Sequence, residues 1–241
     1  MNAATETPLR VRRLTLPGGD TLRLVLVPFA PAQFDPQAYA ASGIACPPSV
    51  ARSVRRRQAE FFFGRLAARA ALREHGVAES EAGVPIGAAR EPVWPAHLVG
   101  SISHNDRIAA AIVGPRDRHV GLGLDVEGIA SAAAEEALRA VAIDAGELAC
   151  LTEAAGQEMS LTELVTLAFS AKESLYKGAF GTVGRFFDFR AARVSAVDAA
   201  RATISLTIEE YLHADFPRGR RCEVGYEWLD PSTLLTVFEA R

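Results

Sequence analysis

A chain of 241 residues, 49% of them hydrophobic, has enough apolar surface to bury one large core or two smaller ones, so neither a disulfide scaffold nor a disordered tail is indicated. The formal net charge of −3 excludes a global attraction to nucleic acid or anionic membrane, so any anion site has to be local. The three cysteines, Cys46, Cys150 and Cys222, are odd in number and far apart, which excludes a disulfide framework and zinc-type spacing and fits a reducing cytoplasm.

The stretch Met1 to Pro17 lacks the basic-then-apolar order of a signal peptide, and no run approaches eighteen uninterrupted apolar residues. A cytoplasmic chain with no membrane span is expected. Leu22 to Pro28 alternates around Leu24 and Leu26 as a strand does. A loop carrying Pro31, Pro36, Pro47 and Pro48 then leads to an arginine-rich helix over Val50 to His75, with Gly76 as its stop. After it come a loop over Gly83 to Pro95, the segment Gly100 to His104 and an apolar strand, Ile108 to Val113. Gly114 and Pro115 break the chain and a new strand begins at His119, so two halves are expected, 1–116 and 117–241. The second half reads as that strand to Glu127, an alanine-rich helical region over Ala132 to Ala155, and a helix over Leu161 to Ala179. The strands Ala191 to Val197, Ala202 to Glu209, Cys222 to Leu229 and Thr233 to Glu239 follow. Strands and helices segregated in this way give an α+β fold.

Val120, Leu122, Leu124 and Val126 share one face of their strand, leaving Gly121, Gly123, Asp125 and Glu127 on the other. Two carboxylates side by side, with glycines leaving space beside them, suit a hard cation such as magnesium, which takes oxygen ligands at about 2.0–2.1 Å. A solvated polar face with an exposed acidic pair is the other reading of the same spacing. On the later helix, Leu161, Val165, Ala168, Lys172 and Leu175 form one stripe, so Lys172 interrupts an apolar face and needs a partner. Glu173 and Lys177 stand one turn apart, either as a surface ion pair or, if the helix packs on the strand, as a third carboxylate and a lysine placed to meet phosphate charge.

His104 follows Ser101 and Ser103, a setting able to donate to phosphate oxygens, although a single histidine serves equally as a structural hydrogen-bonding residue. His75, His97, His119 and His213 have no supporting neighbours in the sequence. The arginines Arg52, Arg55, Arg56, Arg57, Arg65, Arg69 and Arg73 form a basic helix whose bulk reads as a solvated face. Arg57, Arg65 or the isolated Arg90 are available for fork-shaped contact with phosphate.

Taken in order, these elements resemble the surfactin- and enterobactin-type 4'-phosphopantetheinyl transferase family. Four segments carry the resemblance: the helix over Arg57 to Leu72 with Glu60, Gly64 and Arg65; Arg90 to Pro95 followed by Gly100 to His104; Gly123 to Glu127, with leucine at 124 where the family usually has isoleucine; and Phe169 to Lys177, similar to the family's lysine-glutamate-serine signature with its second lysine. The resemblance implies two similar α+β halves related by a pseudo-two-fold axis, with the active site in the cleft between them, in a monomer. It implies magnesium on Asp125, Glu127 and Glu173, and coenzyme A as co-substrate. The coenzyme A contacts would be Arg57, Arg65, Arg90, Ser103, His104 and Lys172. The implied reaction is attack by a serine of an apo carrier protein, whether peptidyl, aryl or acyl carrier, on the β-phosphate of coenzyme A, releasing 3',5'-adenosine bisphosphate. Glu173 would act as general base, directly or through water, and Lys177 would stabilise the transferring group. Siderophore or other secondary-metabolite biosynthesis is the implied setting. A magnesium-dependent phosphohydrolase explains the carboxylates but not the Arg90 to His104 segment, and a non-catalytic coenzyme A or carrier-protein binding module has no need of the carboxylates. Phe180, Phe186 and Phe187 fit a docking site for a carrier helix and fit a core equally well.

Overall fold

Alternating leucines with polar residues between them make Thr21–Pro28 a half-buried strand, and in the computed structural model, which describes residues 9–156 and 158–241, it sits inside a four-stranded antiparallel sheet. With β1 as Arg10–Thr15, β2 as Thr21–Pro28, β3 as Leu98–His104 and β4 as Ile108–Pro115, the sheet order is β1-β2-β4-β3. β1 was not expected; Arg10, Arg12 and Arg13 hide its strand character, and charged residues are what an edge strand carries. The absence of a signal sequence was expected from Met1 to Pro17, of which residues 1–8 lie outside the described residues.

The arginine-rich helix is two helices. Pro48–Ala51 (α2) follows a short helix, Ala38–Ser42 (α1), and the long Arg55–Arg73 (α3) begins after Val54, whose backbone is extended at φ −63° and ψ 152°. The break has a local cause: Ser53 Oγ donates to Val50 O, and the Gln58 side-chain amide donates to the carbonyls of Ala51 and Ser53 at 3.1 and 2.9 Å, closing the end of α2. α3 lays an aromatic face on the sheet. Phe62 and Phe63 meet Phe34, with centroids at 5.3 and 5.7 Å, and Phe63 stacks on Phe29 at 4.7 Å. The helix ends at Arg73, and Gly76, at φ 75°, turns the chain away three residues later.

The remaining elements are β5 (Gly121–Gly128), α4 (Ala132–Ala142), α5 (Ala145–Ala154), α6 (Leu161–Val183), β6 (Ala192–Asp198), β7 (Thr203–Ile208), β8 (Arg221–Asp230) and β9 (Thr233–Ala240). The expected helix over Ala132 to Ala155 is interrupted because Asp144 and Glu147 form a reciprocal cap, 2.8 and 2.9 Å, which starts a new helix after the extended Ile143. A second such cap, Ser160 with Glu163, starts α6, which runs past Ala179 until Gly184 takes the left-handed conformation at φ 67°. The strands form an antiparallel sheet in the order β5-β9-β8-β7-β6, and α6 packs on β5 and β9. Leu164, Leu167, Ala168, Ala171 and Leu175 meet Ile204, Leu206, Val224 and Leu234 in its core.

The chain divides into two compact units. One comprises the described residues up to Leu14 with Thr21–Pro115; the other comprises Thr15–Asp20 with Arg116–Arg241. Each is an α+β unit with its own antiparallel sheet and its own apolar core. No helix among the described residues is long and apolar enough to cross a membrane.

Candidate active site

In the second unit the glycines of β5 act through their lack of a side chain, though not in the manner expected. A Cβ on Gly121 would overlap the Gly178 carbonyl, and one on Gly123 would overlap the Ser174 carbonyl. The space beside these glycines is occupied by α6 itself, so they provide a close helix-to-strand approach and not a ligand cavity. That approach brings Ser170, Glu173 and Lys177 over Asp125 and Glu127. Asp125 is 3% exposed, which corrects the solvated-face reading of this strand.

Lys177 Nζ lies 2.6 Å from Asp125 Oδ1 and donates also to Leu124 O at 3.2 Å, while Ser170 Oγ donates to Asp125 Oδ2 at 2.8 Å. Burial pushes the Glu127 carboxyl up to about 8, with Asp125 and then Glu173 adding to the rise and Lys177 opposing it. Glu173 is raised as well, first by burial, with Asp125 adding and Lys177 opposing. Three carboxylates share one field with one ammonium; burial first, and the neighbouring negative charge second, raise Glu127 and Glu173. This all-oxygen, net-anionic donor set fits a hard divalent cation.

Among the described residues, the one trio of His, Cys, Asp or Glu groups whose ligating atoms all lie within 4.8 Å of one another is Asp20, His119 and Glu239. Positive charge is already present there. Arg241 Nε stands 2.8 Å from Glu239 Oε1 and Arg241 Nη2 2.9 Å from Asp20 Oδ2, with His119 Nδ1 2.6 Å from Glu239 Oε1. His119, which the sequence left without neighbours, is therefore buried against Glu239, with the more exposed Arg241 and Asp20 at the rim of the same cluster. His75 is held too, with Nε2 2.8 Å from Val113 O.

Lys172, expected among the coenzyme A contacts, is 3% exposed and fully occupied. Its ammonium is 2.7 Å from Glu147 Oε1, 2.6 Å from Ala142 O and 3.1 Å from Phe189 O, one acceptor for each of its three protons. Glu147 Oε1 also accepts from Val194 N at 2.7 Å. Lys172 is thus a buried strut joining α6 to α4, α5 and β6, and removing one partner of such a pair costs about 3–5 kcal/mol. Glu147, silent in the sequence, is the partner that the apolar stripe demanded. An apolar pocket of about 130 Å³ lies beside Glu173, lined in part by Tyr176, Phe186, Phe187 and Phe189. Phe187 is buried, Phe180 packs on Tyr176 at 5.7 Å, and Phe186 is 73% exposed.

In the first unit, Ser103 and His104 end β3, and Arg57 reaches His104 from α3, with Nη1 3.4 Å from His104 Nε2. Arg57 and Arg56 both pair with Glu60, at 3.5 and 2.9 Å. Arg65, two turns along from Arg57, places its guanidinium over the Phe61 ring at 4.6 Å. Burial first, and Arg57 second, lower it to about 10, and its Nε is buried with no hydrogen-bond partner. A buried cation short of a partner is a group prepared for an anion. Arg90 is not joined to this cluster by any hydrogen bond or ion pair among the described residues; it is exposed, in a turn where its φ is 71° and its N–H donates to Gly87 O. Arg69 and Arg73 pair with Glu79.

Residues 47–114 match the 4'-phosphopantetheinyl transferase N-terminal domain, and residues 121–221 match the 4'-phosphopantetheinyl transferase superfamily. Enterobactin synthase component D of Escherichia coli strain K12 is 35% identical over 187 residues, which is 76% of this chain and 82% of that protein. The chain belongs to the 4'-phosphopantetheinyl transferase superfamily. Enterobactin synthase component D of Salmonella typhi is 40% identical over 153 residues, 63% of this chain; the match spans 60% of the length of that relative. The 4'-phosphopantetheinyl transferase PptT of Mycobacterium tuberculosis is 32% identical over 151 residues, 61% of this chain and 62% of that protein. The N-terminal match contains Arg57, Arg65, Arg90, Ser103 and His104, and the superfamily match contains Asp125, Glu127, Glu173 and Lys177. Thr236, which meets Ser170 and Ser174 from β9, lies outside both matched segments; no spacing signal in the sequence points to it.

Proposed function

We propose that this chain transfers the 4'-phosphopantetheine group from coenzyme A to a serine of an apo carrier protein, peptidyl, aryl or acyl, and releases 3',5'-adenosine bisphosphate. The observation that carries the reading is the convergence of Asp125, Glu127, Glu173 and Lys177 in one partly buried field of the second unit, in a chain of this superfamily. Asp125, Glu127 and Glu173 are the residues to hold magnesium, which when bound offsets charge on the pyrophosphate. Lys177 keeps Asp125 oriented and supplies positive charge for the transferring phosphoryl group.

The carrier serine Oγ forms a bond to the β-phosphorus while the bond from that phosphorus to the bridging oxygen breaks, and the electron pair leaves with the adenosine bisphosphate. The serine proton goes to Glu173, directly or through one water. Burial raises that carboxyl in the metal-free protein, and a cation bound beside it would lower it again. In the first unit, Arg57 and Arg65 with His104 and Ser103 are the groups for phosphate oxygens, and the unpaired Nε of Arg65 supports this. Arg90 is the further candidate; Lys172 is left out because Glu147 and two carbonyls already hold it. The halves 1–116 and 117–241 divide these roles. The E. coli, Shigella and Salmonella relatives carry the name enterobactin synthase component D, which supports siderophore or other secondary metabolism as the setting. A cytoplasmic monomer completes the proposal.

The test is to mix the protein with coenzyme A, magnesium and an apo carrier protein and to follow the carrier by intact mass. One phosphopantetheine should be gained by the wild type, and none with Glu173→Ala or without metal. Release of adenosine bisphosphate with no carrier present would favour a phosphohydrolase, and coenzyme A binding with no gain on any carrier class would favour a binding module.

A further inference from the structure

Asp125 is aimed by more than its ion pair. Lys177 Nζ takes Oδ1 at 2.6 Å, and Ser170 Oγ donates to Oδ2 at 2.8 Å, so each carboxylate oxygen receives one hydrogen bond from α6 and its rotation is blocked. Ser170 is 0% exposed, and its hydroxyl belongs to a chain that reaches β9. Thr236 Oγ1 is 2.9 Å from Ser170 Oγ and 2.9 Å from Ser170 O, and Ser174 Oγ is 2.7 Å from Thr236 Oγ1. A carboxylate only accepts, which makes Ser170 spend its single proton on Asp125. The Thr236 proton then has Ser170 Oγ and Ser170 O as acceptors, and the Ser174 proton has Thr236 Oγ1 and Thr236 O. Thr236 stands directly opposite Asp125 in the β5–β9 register, so the network is anchored across the strand pair that carries the carboxylate.

We infer that Ser170, backed by Thr236 and Ser174, is a positioning residue that presents Asp125 to the divalent cation. The inference rests on the metal reading of the proposed function. Without the Ser170 hydroxyl, Asp125 loses the hydrogen bond that ties its Oδ2 to α6, and the carboxylate is held less firmly in this orientation. Partners of this kind, one shell beyond the ligands, typically change metal affinity by about 10- to 100-fold.

The test is binding of Mn²⁺, followed by electron paramagnetic resonance, to the whole protein with coenzyme A present and no carrier protein, so that no turnover occurs. Ser170→Ala should bind Mn²⁺ at least ~10-fold more weakly than wild type, and Thr236→Val should lose less. Thr236→Ser, which keeps the hydroxyl, should restore wild-type affinity. In the carrier assay the magnesium concentration for half-maximal rate should rise in parallel for Ser170→Ala, while the rate at saturating magnesium changes less than about threefold. Folded Ser170→Ala and Thr236→Val proteins that bind Mn²⁺ as wild type does would overturn the inference alone. A wild type that binds no Mn²⁺ would overturn the metal reading and the inference with it.

Discussion

Glu127 occupies a position where ionisation is costly: partly buried, two residues from Asp125 on the same face of β5, and near Glu173. Its ordinary value of 4.5 is pushed up to about 8 by that burial and those neighbours. The sign follows from which state holds the proton. Between these two values the folded protein retains a proton that the unfolded chain has released, so the stability contributed by the neutral form is complete below the ordinary value and is lost as pH rises through the folded one. Metal-free wild type should therefore lose ~1–2 kcal/mol more than Glu127→Gln between about pH 5 and about pH 8. Unfolding curves in a chelator at a series of pH values check this, and parallel losses in the two proteins would refute it. Magnesium should reverse the trend with release of protons, because the cation favours the ionised carboxylates. At this scale the types and spacing of Asp125, Glu127, Glu173 and Lys177 were legible in the sequence. The partner of Lys172 was not, since Glu147 is twenty-five residues away and meets it only because the Asp144 cap turns α5 at that point.

Where α6 meets β5, the spacing is set by atoms that are missing. Gly121, Gly123 and Gly178 let two backbones approach until a single added methyl on Gly123 would meet the Ser174 carbonyl. Gly123→Ala should move α6 outward, destabilise the protein by about 3 kcal/mol and weaken carrier modification even at a temperature where the protein is folded. Denaturant midpoints together with the intact-mass assay check both effects, and an unchanged midpoint would contradict this packing. The helix periods and the two-residue period of the strands were readable because burial repeats at those intervals. The breaks after Ala51 and Ile143 were missed because each depends on a side chain closing on nearby backbone, Gln58 in one case and the Asp144–Glu147 cap in the other.

On the scale of the whole molecule the proposed labour is divided: α3 and β3 of the first unit supply cations for phosphate, and β5 and α6 of the second supply the carboxylates. Arg57→Ala and Arg65→Ala should each raise the KM for coenzyme A by about 10-fold or more, leaving the KM for the carrier and the magnesium requirement unmoved. Steady-state kinetics with each substrate varied in turn checks the separation, and a shift in magnesium requirement alone would undo it. Sequence by itself determined the α+β class, the order of seven strands and three helical regions and the family resemblance, because hydrophobic period, glycine and proline breaks and motif order are properties of neighbours along the chain. Only the tertiary structure decided that Lys172 is a strut, that the β5 glycines seat a helix, that His119 is paired, and that Ser170 and Thr236 hold Asp125. Each of those depends on groups tens to more than a hundred residues apart meeting at hydrogen-bond or contact distance, and periodicity along the chain carries no trace of such meetings.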